Sequence, residues 1–142
     1  MWVCHPPMPM KRLQTLTSYP VTSTTGGAKG RVETGATVTW EFADFPGPFP
    51  VEVVEAKSPE RIHFKWDAAE EGGDSHKTDV VFSFEAVDGG KRTKVSVTEG
   101  AWQDTPAGLK SSYNNCMGWS QMLMAMKAWV EHGINLREGA YK

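Results

Sequence analysis

From Leu109 to His132 the chain runs without a proline and repeats its apolar residues with a helical period. At about 100° per residue, Trp129, Met122, Met126, Trp119, Val130, Leu123 and Cys116 fall within one arc. Lys110, Asn114, Gln121, Lys127, Glu131 and His132 lie mostly opposite. A helix this long with one broad apolar face must bury that face, so the preceding chain has to supply a surface to cover. Gly133 suits the left-handed residue that ends such a helix, with Ile134 and Leu136 expected to pack back after it.

The preceding chain changes to a period of two. Val38, Trp40 and Phe42 alternate with Thr37, Thr39 and Glu41, the pattern of a half-buried strand. A proline-rich turn from Pro46 to Pro50 ends it. Val51 to Glu55 reads as a second strand, closed by Ser58-Pro59-Glu60. Ile62, Phe64 and Trp66 alternate with Arg61, His63 and Lys65 in a third, so these two form an antiparallel hairpin. After an acidic loop from Asp67 to Ser75, Val80, Phe82, Phe84 and Ala86 share one face of a fourth strand. Asp88-Gly89-Gly90 tolerates positive φ and marks a hairpin turn. A fifth strand points Val95 and Val97 inward and Lys94, Ser96 and Thr98 outward. The fold class is α+β: a curved antiparallel meander gripping one long helix over 109–132. Residues 1–30 are weakly specified. Lys11 to Ser18 suits one or two helical turns stopped by Pro20, and Val21 to Gly30 reads as loop.

A net charge of −2 over 142 residues gives no field that favours nucleic acid or anionic lipid. A chain of this length buries roughly 68–70% of its unfolded surface, enough for one core and one domain over 1–142. Cys4 and Cys116 form no CxxC and imply a reducing, cytoplasmic setting without a disulfide framework. The N-terminus lacks the charged and apolar regions of a signal peptide, and no apolar run is long enough to cross a bilayer.

The order Gly35-x-x-Val38-x-Trp40, Pro59-Glu60-Arg61-Ile62-x-Phe64-x-Trp66, Val80-x-Phe82-x-Phe84, Gly90 to Val97 and Gly118-Trp119 resembles the AHSA-type family. These are homologues of the activator of the ninety-kilodalton heat-shock chaperone's ATPase, within the START-like, SRPBCC superfamily. The resemblance spans roughly Val32 to Arg137. It implies a helix-grip fold with an apolar cavity between sheet and helix, often used for lipids, polyketides or other hydrophobic ligands, and it brings no catalytic motif. Family members begin with a further strand and a pair of short helices, of which residues 1–30 are an atypical, shortened version.

The candidate ligand-binding residues are Trp40, Phe42, Phe64, Trp66, Phe82 and Phe84 from the sheet and Trp119, Leu123 and Met126 from the helix; the alternative is that they are core. Met117, Met122, Met124 and Met126 add adaptable side chains on or beside that helix face. Trp102 lies between the last strand and the helix, where the choice is between a plug for the cavity and a satellite packing contact. The group Asp67, Glu70, Glu71, Asp74 and His76 fits no EF-hand spacing, and Cys4-His5 lacks a second ligand pair, so no metal or cofactor is expected. His63 is expected to face away from the cavity, and His132 sits at the helix C-terminus. Among strand carboxylates, Glu41, Glu52, Asp79 and Glu99 are placed mostly outward by the alternation, leaving no catalytic assignment. The expected function is non-enzymatic binding of a hydrophobic small molecule such as a lipid, polyketide or aromatic compound, by a monomer or weak dimer. The alternative is an interaction module in a stress response, with a chaperone as partner.

Overall fold

The computed structural model describes residues 2–4, 27–42, 47–68 and 75–137. Its strands are β1 (Trp2–Cys4), β2 (Gly27–Lys29), β3 (Thr37–Glu41), β4 (Phe49–Lys57), β5 (Arg61–Asp67), β6 (Lys77–Val87) and β7 (Arg92–Gly100), followed by helix α1 (Pro106–His132). All are joined antiparallel in one sheet of order β1-β7-β6-β5-β4-β3-β2.

The five strand segments form β3 to β7, and the sheet gains one short strand at each edge. Trp2–Cys4 pairs with β7, with Trp2 opposite Val95, an edge strand of the kind the resemblance implies. Gly27–Lys29 pairs with β3, which corrects the reading of Val21 to Gly30 as loop throughout. Neither three-residue strand has an alternation of its own; each is made by the free edge beside it. The expected helical turns over Lys11 to Ser18 fall outside the described residues.

Register follows from which side chains need burial. Val38, Trp40, Val51, Val53, Phe64, Val80, Phe82, Phe84 and Val95 all turn to the concave face, where they meet Met122, Leu123 and Met126 of α1. A bulge between Val53 and Glu55 resets the phase of β4, so that Ala56 comes opposite Ile62. Ala86, at the far end of β6, is exposed and lies beyond this surface. The β6–β7 turn is built on Asp88, Gly89 and Gly90 at φ of 52°, 66° and 85°, the left-handed region that glycine enters without steric penalty.

Helix α1 begins three residues earlier than its apolar period suggests. The Thr105 hydroxyl accepts the Gly108 N–H at 3.0 Å, and Pro106 occupies the first turn, where its missing N–H is not needed. Gly108 lets the helix start close to the preceding chain, since a Cβ there would lie 2.2 Å from the Gln103 carbonyl oxygen. At the other end Gly133, with φ of 69°, donates to the Trp129 carbonyl at 2.9 Å, and Ile134 donates to that of Ala128 at 3.3 Å. This is the pairing that satisfies final carbonyls of a helix.

Three side-chain expectations for this end of the chain need correction. Cys116 is exposed, because it sits at the margin of the apolar arc in the first half of α1, where no side chain is buried. The Glu131 side chain is only 9% exposed, because Lys127 closes over it at 2.6 Å. Ile134 and Leu136 do not pack back and are 52% and 48% exposed.

Candidate functional site

The concave face carries a continuous aromatic network. Trp40 meets Phe64 edge-on at 5.2 Å between ring centroids and Trp66 at 6.0 Å, and Phe64 meets Phe82 at 5.9 Å. Trp119 reaches across from α1, stacking on Trp66 at 5.3 Å with a 17° interplanar angle and meeting Phe82 edge-on at 5.5 Å. Phe42 and Phe49 extend the network on one side, and Phe84 on the other. Such pairs are each worth about 0.5–1.5 kcal/mol beyond the area they bury. The nine candidate ligand residues all lie in this one cluster. Trp40, Phe64, Phe82, Phe84, Leu123 and Met126 are buried, and Phe42, Trp66 and Trp119 are half-buried against them.

A carboxylate, Glu99, enters this apolar surface beside the fully buried Thr78. Glu99 continues the inward alternation of Val95 and Val97 and sits opposite Val80, so it faces α1; the outward reading is corrected here. Its Oε1 accepts from Trp66 Nε1 at 2.9 Å and from Thr78 Oγ1 at 2.7 Å. Its Oε2 accepts from Trp119 Nε1 at 2.6 Å, and the Asn115 amide donates to both oxygens at 3.2 Å. Four neutral donors from β5, β6 and α1 thus share one carboxylate and occupy its lone-pair directions. A half-buried charge is tolerated when hydrogen-bonded in this way. So placed, the group acts as an anchor for its donors.

At the opposite end of the concave face is a pocket of about 290 Å³. Val32, Ala56, Pro59, Ile62 and Phe84 give it an apolar lining, and Glu33, Thr34 and Ser58 add polar groups. Thr34 Oγ1 is fixed by the Ala56 N–H at 2.9 Å, which ties the 31–36 connection to β4. Of the candidate ligand residues, only Phe84 lines it. Lys57 and Arg61 also border the pocket, and their charged ends are held by Glu60 at 2.6 Å and Glu55 at 3.4 Å. The hydrogen bond that Lys57 donates to the Glu60 carboxylate raises the Lys57 pKa above its ordinary value.

The convex face is a ladder of opposite charges. His63 lies on it as expected, 2.5 Å from Asp79, which Lys65 approaches at 3.6 Å. Glu52 pairs with Lys77, Glu85 with Lys94 and Asp88 with Arg92. Trp102 is half-buried in the connection to α1, which follows Ala101 at a φ of 65°. His132 is exposed beside Glu131. Glu70, Glu71, Asp74 and the pair Cys4-His5 lie where no side chain is described. Among the described residues no group of His, Cys, Asp and Glu is arranged to hold a metal ion.

A curved antiparallel sheet closed by one long C-terminal helix is the helix-grip arrangement. A family model described as Activator of Hsp90 ATPase homolog 1-like protein matches residues 12–131, and the chain belongs to that family. Three solved structures share the fold. A Staphylococcus saprophyticus protein superposes with a TM-score of 0.70 at 18% identity, covering 96% of this chain and 93% of its own. A Mesorhizobium loti protein gives 0.63 at 17% identity, with coverages of 87% and 88%. A Bacillus halodurans protein gives 0.54 at 17% identity, with coverages of 86% and 88%. No curated protein matches the sequence.

Proposed function

We propose that this chain binds a hydrophobic small molecule, without catalysis, on the concave side of its sheet. The observation that carries the reading is the pocket of about 290 Å³ lined by Val32, Ala56, Ile62 and Phe84. Ligand sites are characteristically apolar concavities with a few polar groups that fix orientation, here Thr34, Ser58 and Glu33. Binding is driven by apolar area removed from water, at about 25 cal/mol per Å². The exposed free thiol of Cys116 favours a reducing, cytoplasmic setting. No described helix is long and apolar enough to cross a membrane.

The test is native mass spectrometry of protein purified from its own host, repeated on Ile62→Trp. Ile62 is half-buried at the pocket, so an indole there fills space; Met126, at 1% exposure, has no room for a larger side chain. A co-purifying apolar molecule that is lost from a folded Ile62→Trp is the expected result. Retention of the molecule at full occupancy by that variant defeats the reading.

A second reading, as a protein-interaction module of the chaperone-activator kind, is favoured by one observation. Leu109, Tyr113, Met117 and Met124 expose apolar side chains along α1. Tyr113→Glu would then abolish capture of a ninety-kilodalton chaperone in a pull-down with nucleotide, and failure of the unaltered chain to retain that chaperone removes this alternative.

A further inference from the structure

We infer that α1 is divided at Gly118 into a packed half and a gate half, and that the gate half swings away from the sheet when Asn115 lets go of Glu99. The division is visible in what each half buries. Met122, Leu123, Ala125 and Met126 are the buried apolar side chains of α1, and all lie beyond Gly118. Before it, the buried residue is Gly108 at the helix start, while Leu109, Tyr113 and Met117 are 54%, 68% and 59% exposed. Apolar burial, the main stabilising term, therefore holds the second half and contributes little to the first.

Glu99 straddles the division. Trp119, on the packed side, donates at 2.6 Å and is also stacked on Trp66. Asn115, on the gate side, reaches the same carboxylate only through two contacts of 3.2 Å, the long end of the hydrogen-bond range. Lys110 and Ser111, in the same half, make interactions of their own. Between the two donors sits a glycine that packing does not explain. A Cβ at Gly118 would meet nothing within 4 Å, in contrast to Gly108, where it would strike the Gln103 carbonyl. A glycine inside a helix that no neighbour requires weakens the helix at that point, which is what a hinge needs.

Opening about Gly118 lifts the gate half from Glu99 and exposes the end of the aromatic face around Trp66 and Thr78, while Trp119 and everything after it stay packed. The motion stands on these contacts alone and does not depend on the ligand-binding reading, whose pocket lies at the opposite end of the concave face.

Hydrogen exchange of the backbone amides of α1, measured without any ligand on the whole chain, tests the division. A step is expected at Gly118, with amides of 113–117 exchanging at least about tenfold faster than those of 123–129. Asn115→Ala is expected to speed exchange of the first group several-fold, roughly, and leave the second unchanged. Gly118→Ala is expected to slow the first group by about fivefold. The circular dichroism of the stacked Trp66 and Trp119 serves as the control for an intact packed half and stays constant in both variants. Equal protection along α1, a smooth gradient of fraying from Pro106, or an Asn115→Ala effect shared by both groups overturns the inference. Because no ligand enters the measurement, a failed gate and a failed ligand-binding reading give separate results.

Discussion

Replacing Glu99 by leucine strands two indole N–H groups, an amide and a hydroxyl that now share one acceptor. Each buried polar group left unpaired costs about 1–3 kcal/mol, so Glu99→Leu is expected to lose more than about 2 kcal/mol in urea unfolding. Glu99→Gln keeps one oxygen and is expected to lose about half as much. Equal stability of all three proteins would show that the carboxylate anchors nothing. Part of this residue's role was legible: Val95, Val97 and Glu99 follow one alternation, although the strand carboxylates taken as a group were placed mostly outward. Its partners were not legible, because Trp66, Thr78, Asn115 and Trp119 come from three elements that only the fold brings together. The same holds for Cys116 and Glu131. A periodicity assigns a side chain to one side of a helix, but it carries neither how far the sheet extends beneath it nor whether a lysine one turn earlier folds over it.

At the scale of elements, alternation over five or more residues identified β3, β5, β6 and β7, since a pleated strand with one wet face has no other way to sort its side chains, and β4 was legible from the turns on either side of it. The three-residue strands β1 and β2 escaped, being too short to display a period. The start of α1 escaped because Pro106 and Gly108 look like breakers, yet a proline in the first turn and a glycine against Gln103 both favour starting there. The cap is the residue to test. Thr105→Ala removes the acceptor of the Gly108 N–H and is expected to destabilise the protein by about 1 kcal/mol. The loss should appear in thermal unfolding and vanish in Thr105→Ser, which restores a hydroxyl. A Thr105→Ala protein as stable as the parent would mean that the close packing of Gly108 alone sets the helix start.

Across the whole molecule, the edge of β7 is closed by Trp2–Cys4, and long, flat open edges invite pairing with other chains. Deleting residues 1–4 uncovers that edge, so the truncated protein is expected to self-associate more strongly in analytical ultracentrifugation, and an unchanged sedimentation profile would count against a protective role for β1. The order β1-β7-β6-β5-β4-β3-β2 has a further consequence for how the protein is made. Trp40, Phe64, Phe82 and Phe84 leave the ribosome before α1, whose Met122, Leu123 and Met126 join them in one buried cluster. Trp2, synthesised near the outset, waits for Val95 before its strand has a neighbour. A nascent chain halted at Gly100 would display Trp40, Phe64, Trp66 and Phe82 to solvent with no lid over them, so the sheet is at its most adhesive in the seconds before translation of the helix is finished.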